Sequence, residues 1–215
     1  MKKLLPTEYP QNLKVLGEYV PQCIYIKGDF EPRDCLAVAV VGSRTPTGEG
    51  RKKAYEIACV LASEGITIVS GLARGIDTEA HRAALKVSGR TIAVLGSGLS
   101  NIYPPENIDL AREIQKSGAL VSEFKPDTKP LPDNFLARNR IIAALSLAVV
   151  VVEGKRRSGT ISTARHAAEL GREVFAVEGS ESGVMSQAPN YLISEGAVAI
   201  SGPGQVLDYI KDIAI

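Results

Sequence analysis

Basic side chains recur where buried strands of this sequence are expected to end. Arg44 follows the apolar run at 37–42, Arg74 follows the run at 66–70, and Lys155 follows the run at 147–153. In open α/β sheets the carboxyl ends of parallel strands share one edge, and ligands bind there. Cations beside glycines and hydroxyl groups suit phosphate oxygens, which backbone N–H groups also attract. Each of these cations alone is better explained as a solvated loop residue, but several at the same edge predict an anion-binding site there.

Arg138 lies on the apolar face of a predicted helix, because apolar residues follow it at helical spacing. A charge on such a face needs a partner. Two partners remain open: an internal carboxylate such as Glu123 or Glu153, or a phosphate of a ligand. Phe135, one turn earlier, either stacks on a nucleic-acid base or anchors the helix to the core.

Asp77 and His81 lie one helical turn apart, so the two side chains could pair. A catalytic site would also need a serine oriented by this histidine, for example Ser70 or Ser43. We favour the alternative in which Asp77 caps the first turn after Gly75 and His81 braces that turn.

Other classes of site lack their residue patterns. The first strand–helix turn, at 42–48, has no G-x-G-x-x-G sequence, and the second strand has no acidic residue at its end. The chain has neither a P-loop nor a group of Cys, His and carboxylate residues at the spacing of metal ligands. We therefore expect neither a cofactor nor a metal.

An alternation of strands and helices positions these residues. Unbroken β-branched runs are typical of strands that are buried on both faces of a parallel sheet. The predicted helices lie near 48–64, 75–88, 105–117, 134–146, 159–171, 188–195 and 203–212, and the predicted strands near 37–42, 66–70, 91–96, 119–123, 147–153, 173–178 and 197–201. This alternation indicates an extended, doubly wound, mostly parallel α/β sheet of the Rossmann type.

The first part of the chain is less regular. Prolines interrupt residues 1–36, which leave a short helix near 11–18 and an edge strand near 23–27. We predict that residues 1–36 form an arm packed on a single domain, residues 37–215. The proline-rich segment 124–133 is predicted to be a functional loop.

The composition fits one intracellular α/β domain. With 215 residues and a net charge of +1, the chain is not uniformly basic, so anion binding has to come from local clusters. Its three cysteines are scattered, which indicates reduced thiols. Neither a signal peptide nor a membrane span is recognisable, and we expect a cytoplasmic protein without membrane contact.

Several stretches, in this order, resemble the DprA/Smf family of bacterial DNA-processing proteins. They are Val41-Gly42-Ser43-Arg44, residues 70–77 with Ala80-His81, Gly96-Ser97-Gly98 with Tyr103-Pro104, Phe135 with residues 138–142, Ser158-Gly159-Thr160 with Thr163-Ala164, and residues 171–177. The resemblance extends from Tyr9-Pro10 onward. It implies a Rossmann-like domain that binds single-stranded DNA without cutting it, forms a homodimer and helps to load a RecA-type recombinase in transformation or recombination.

Together, the strand ends and the resemblance define the expected binding residues. Arg44, Arg74, Arg138, Arg140 and Lys155 are expected to contact phosphates, and glycine-turn amides to assist them. The complete set is Gly42, Ser43, Arg44, Ser70, Gly71, Arg74, Gly75, Gly96, Gly98, Phe135, Arg138, Asn139, Arg140, Lys155, Ser158, Gly159 and Thr160.

The chain also departs from the family pattern. Val177-Glu178-Gly179 replaces Val-Pro-Gly, so the loop at 178–190 is expected to have lost part of a site. The helical module and winged helix of other members do not fit in this length, and duplex binding through a winged helix is not expected. Two alternatives share the fold: a LOG-type nucleotide phosphoribohydrolase, disfavoured because Thr163 replaces its motif glutamate, and a nucleotide-sensing regulator.

Overall fold

The computed structural model describes residues 1–179 and 183–213. Within these residues one sheet contains nine strands. They are β1 (Lys2–Leu4), β2 (Ile24–Gly28), β3 (Ala37–Val41), β4 (Thr67–Ser70), β5 (Thr91–Val94), β6 (Ala119–Ser122), β7 (Ala148–Val151), β8 (Glu173–Val177) and β9 (Val198–Ile200). The strand order is β1-β2-β6-β5-β4-β3-β7-β8-β9. All strands from β6 to β9 in this order are parallel, whereas β1 and β2 are antiparallel to their neighbours. The predicted fold class is confirmed.

Helices cover both faces of the sheet. They are α1 (Gln11–Lys14), α2 (Gly48–Ser63), α3 (Ile76–Lys86), α4 (Ile108–Ser117), α5 (Pro132–Leu145), α6 (Gly159–Glu169), α7 (Gln187–Ser194) and α8 (Gly204–Ile213). Because side chains alternate along a strand, Val38 and Val40 pack with α2, α3 and α8, whereas Ala39 and Val41 pack with α1, α5 and α6. Burial on both faces explains why these strands consist of unbroken apolar runs.

The N-terminal segment is part of the sheet. The predicted edge strand is wrong, because β2 pairs with both β1 and β6. The predicted helix near 11–18 divides into α1 and a 3-10 turn at Gly17–Tyr19. A buried ion pair fixes the end of this segment: Arg90 donates to Asp34 from Nε at 2.5 Å and from Nη2 at 2.8 Å.

The order of the strands creates a crevice. From β3 the chain proceeds through β4 and β5 to β6. Helix α5 then forms the crossover connection to β7, which lies on the other side of β3. The connections after β3 and β7 therefore leave on opposite faces of the sheet. Such a switch point opens a crevice at the carboxyl ends of the two strands, where ligands of α/β proteins bind.

We expect Arg90→Ala to lower the free energy of unfolding by about 3–5 kcal/mol, because it leaves the carboxylate of Asp34 buried without its partner. Urea denaturation measures this loss. Arg112→Ala is the control, since its ion pair with Asp109 is exposed and should contribute less than about 1 kcal/mol. Similar losses in the two variants would contradict this role of Arg90.

Candidate functional site

A cavity of about 620 Å³ lies at the switch point between β3 and β7. Its walls are the loops that follow these two strands, together with the first turns of α5 and α6. Many of the residues expected from the sequence line it: Gly42, Ser43, Arg44, Phe135, Arg138, Asn139, Lys155, Ser158, Gly159 and Thr160. The structure thus brings together residues that lie more than a hundred positions apart in the chain.

The cavity is predominantly positive. Arg44, Lys155 and Arg157 line it with exposed side chains, and none of them has an acidic partner within residues 1–179 and 183–213. Asp77 is the only acidic residue among the described lining residues, and it is buried. The N-terminus of α6 adds the positive end of a helix dipole. The arrangement suits phosphate groups.

The loop after β7 carries two of these cations, and backbone hydrogen bonds fix its position. Gly154 N donates to Met185 O at 2.6 Å, and Ala188 N donates to Gly154 O at 2.8 Å. Asn139 Nδ2 donates to Gly159 O at 3.1 Å and so connects α5 to the start of α6. Met185 and Ala188, the latter in α7, belong to the segment 178–190 that departs from the family pattern, of which residues 180–182 lie outside the described residues.

Arg138 is buried beneath the cavity, with 4% of its surface exposed. Of the two partners left open, neither Glu123 nor Glu153 contacts it: Nη1 donates to the carbonyl oxygens of Gly71, at 2.7 Å, and Val94. Burial lowers the pKa of Arg138 to about 10, against the opposing charge of Asp77. Its Nε atom has no hydrogen-bond partner within the described chain. Arg138 therefore joins the ends of β4 and β5 and is one of the residues that line the cavity.

Several glycines of the expected set lie outside the cavity and serve packing. A Cβ atom on Gly71 would clash with the Arg138 guanidinium, and one on Gly98 would clash with the carbonyl oxygens of Lys125 and Pro126. The amides of Gly71 and Gly98 already donate to protein acceptors, at 3.1 and 2.9 Å. Those two amides are therefore not available to a phosphate.

Gly75 and Ser70 also pack rather than line the cavity. A Cβ atom on Gly75, whose φ is +77°, would clash with the carbonyl oxygen of Ser43. The Ser70 hydroxyl is buried and donates to Val40 O at 2.7 Å. A Cβ atom on Gly96 would approach Cδ1 of Phe135 to 2.6 Å, so this glycine makes room for the ring.

Two expected arginines also lie outside the main cavity. Arg140 makes a two-pronged ion pair with Glu123, at 2.5 and 2.6 Å. Arg74 borders a small recess at the cavity mouth, next to Arg44, and its exposed guanidinium pairs with Glu106. This pair raises the pKa of Arg74 and lowers that of Glu106.

Asp77 and His81 do not form a catalytic pair with a serine. The hydrogen-bond partners of Asp77 are backbone amides: its Oδ2 accepts from Gly71 N at 3.1 Å and from Ala73 N at 3.4 Å. We expected Asp77 to cap the first turn of α3. Its carboxylate instead binds amides of the loop that precedes this helix. Burial raises the pKa of the Asp77 carboxyl, while Arg138 and these amides act in the opposite direction.

His81 lies inside the protein and contacts Thr91. The Thr91 hydroxyl donates to Ile68 O at 2.8 Å, so Nδ1–H of His81 is the donor in its 2.7 Å bond to Thr91 Oγ1. Nε2 has no partner in the described chain. Burial, helped by the charge of Arg138, lowers the pKa of His81 to about 3. The imidazole is therefore a neutral core group.

The expected set of binding residues omits several residues that line the cavity, among them Tyr103, Arg157 and Thr163. Arg157 belongs to the basic run 155–157 that follows the strand, and only Lys155 of that run was included in the set. Tyr103 gave no signal beyond its place in the family motif. Prolines of the predicted functional loop, Pro130 and Pro132, do reach the cavity wall.

Two kinds of feature are absent from the described residues. No group of three or more His, Cys, Asp and Glu side chains in this part of the chain could hold a metal ion. Among the same residues no helix is long and apolar enough to cross a membrane.

The fold and the cavity define an open α/β protein with a positively charged crevice at its switch point. A family model described as DNA recombination-mediator protein A matches residues 3–211, and the chain belongs to this family. The expected DprA/Smf relationship is thereby confirmed. Protein Smf of Escherichia coli is 43% identical over 212 residues, which cover 97% of this chain. The chain spans only 56% of that relative.

Solved structures show the same relationship. DNA processing protein A from Streptococcus pneumoniae matches with a TM-score of 0.90 and 40% identity, over 96% of this chain and 73% of that one. DNA processing protein A from Helicobacter pylori matches with a TM-score of 0.86 and 30% identity, over 100% of this chain and 96% of that one. The H. pylori structure concerns a single-stranded DNA binding mode of that protein.

The pKa of His81 predicts a pH dependence of stability. The pKa of this histidine falls from 6.5 to about 3 on folding. As the pH drops below 6.5, His81 therefore binds a proton in the unfolded chain but not in the folded protein, which lowers the free energy of unfolding. Between pH 7 and pH 5 this histidine should cost the wild type about 2 kcal/mol. Urea denaturation of His81→Gln at both pH values should show a decrease smaller by that amount. All other ionisable groups are the same in the two proteins, and equal decreases would contradict the prediction.

Proposed function

We propose that this protein binds single-stranded DNA in the cavity between β3 and β7. The observation that carries the proposal is the group of exposed cations Arg44, Lys155 and Arg157 around an opening with one buried acid. Proteins that bind single strands combine such a positive groove with aromatic side chains, and Phe135 and Tyr103 stand in the same wall. Family membership and the DNA-binding relative from H. pylori support this assignment.

Binding without bond cleavage is part of the proposal. A phosphoribohydrolase of the LOG type needs a glutamate where this chain has Thr163, which lines the cavity. Asp77 is buried, and its Oδ2 atom accepts hydrogen bonds from two amides. These contacts favour a binding protein over the hydrolase.

We further propose that the protein works in recombination, as a homodimer in the cytoplasm that helps a RecA-type recombinase onto the strand. The description of the family as a recombination mediator supports this role. A direct test is the rate at which a RecA-type protein forms filaments on single-stranded DNA, which should rise when this protein is added. Light scattering at several protein concentrations would report the dimer.

Lys155→Ala combined with Arg157→Ala should weaken binding to a labelled single-stranded oligonucleotide. Each lost phosphate contact lowers the magnitude of the slope of log K against log salt by about 0.7, so the double variant should lose about 1.4. Fluorescence anisotropy at a series of salt concentrations measures both quantities. Because Arg138 is buried, these exposed cations are better targets than Arg138, whose substitution would also reduce stability.

Arg112→Ala combined with Lys116→Ala is the matched control, because these two exposed cations lie on α4, outside the cavity. An equal loss in both double variants would contradict the proposed site. Tight binding of a mononucleotide without dependence on strand length would support the sensor instead. Release of free base from AMP would support the hydrolase.

A further inference from the structure

Glu153 is an acid next to the cations of the cavity. It follows the end of β7 and precedes Lys155 by two residues. Its side chain is half-buried and forms no ion pair within the part of the chain that the structure describes. A carboxylate this close to Lys155 lowers the positive potential that a polyanion meets. Its presence there therefore needs a reason other than its charge.

The carboxylate of Glu153 is bound by the residue that caps α2. Oε2 accepts from Thr47 N at 2.8 Å, and Oε1 accepts from the Thr47 hydroxyl at 2.5 Å. Thr47 Oγ1 in turn accepts from Gly50 N at 3.0 Å, so the helix cap and the carboxylate form one chain of hydrogen bonds. Gly50 leaves room for this arrangement, because a Cβ atom there would lie 2.2 Å from Cδ of Glu153.

These contacts hold both ends of the loop that carries Arg44. At its start, Ser43 N donates to the backbone oxygen of Glu153 at 2.7 Å. At its end, Thr47 binds the carboxylate. Because Glu153 belongs to the same loop as Lys155, a single residue connects the two loops that bring cations to the cavity. A strand that binds to loops already ordered loses less conformational entropy than one that has to order them.

We propose that Glu153 is a positioning residue, whose carboxylate holds the loop of Arg44 against the loop of Lys155 so that both cations reach one strand. The proposal rests on the proposed function and adds the residue that sets the spacing of its phosphate contacts. The charge of Glu153 opposes the binding of a polyanion, whereas its hydrogen bonds favour it. The two effects therefore predict opposite consequences of removing the side chain.

The sign of the change in affinity separates these effects. Glu153→Ala should weaken binding of a labelled single-stranded oligonucleotide by about three- to tenfold, the size of ordering one flexible side chain on binding. If the acid acted through its charge alone, the same variant would bind more tightly. Glu153→Gln removes the charge but keeps an oxygen acceptor for Thr47 N, so it should bind at least as tightly as the wild type. Fluorescence anisotropy at one fixed salt concentration measures all three proteins.

Gly50→Ala tests the same contact without changing any charge. The added methyl group takes the space of the carboxylate and should weaken binding about as much as Glu153→Ala does. Once Glu153→Ala is present, Gly50→Ala should cost nothing further. Gly48→Ala is the matched control, since it lies in the same helical turn and a Cβ atom there meets no neighbouring group of the described chain within 4 Å. Circular dichroism checks that each variant is folded, and Gly50→Ala carries the test if Glu153→Ala does not fold.

The outcomes distinguish this proposal from the proposed function. If the wild type binds no single-stranded DNA, the proposed function fails. If the wild type binds DNA and Glu153→Ala binds it equally or more tightly, the positioning role alone is overturned. Equal losses in Glu153→Ala and Glu153→Gln, or in Gly50→Ala and Gly48→Ala, would overturn it as well.

Discussion

The buried guanidinium of Arg138 is the interaction on which the rest of the site depends. It joins the carbonyl oxygens of Gly71 and Val94, and thus the ends of β4 and β5, to the first turns of α5. A charge removed from water is costly unless it is hydrogen-bonded and compensated, and Asp77 supplies the opposite charge nearby. Asp77 in turn holds the loop in which the buried Leu72 has a φ of +58°. One compensated charge therefore fixes both the floor of the cavity and an unusual backbone turn.

Most of the parallel sheet could be predicted, because strands buried on both faces differ sharply from amphipathic helices. The helix expected at 48–64 is Gly48–Ser63, and the strand expected at 37–42 is Ala37–Val41. The two antiparallel strands were harder to predict from the sequence. β1 contains two lysines and a leucine, which show no alternation, and nothing in β2 indicates that it pairs on both sides. Pairing between distant segments leaves no trace in local periodicity.

The rule of strand ends pointed to the edge of the sheet where the cavity lies, but it could not distinguish groups that line the cavity from groups just beneath it. Gly71 and Gly98 seemed suited to phosphate binding because they follow strands, yet Arg138 and the segment at 125–126 occupy the space beside them. Arg138 itself illustrates the limit. Its partners are main-chain oxygens, and carbonyl groups occur at every position of a sequence, so no residue type could indicate which ones it would contact.

The contrast between cations that are paired inside the protein and cations that are not supports the proposed function. Arg140 and Arg90 are neutralised by carboxylates within the protein, whereas Arg44, Lys155 and Arg157 face one opening without acidic partners in the described chain. Grouped like charges repel one another and so lower the stability of the folded protein. Backbone hydrogen bonds to Met185 and Ala188 nevertheless hold the loop of Lys155 in place. A polyanion that bound there would remove the repulsion between these cations. It would also meet cations whose backbone is already ordered, so less conformational entropy would be lost on binding.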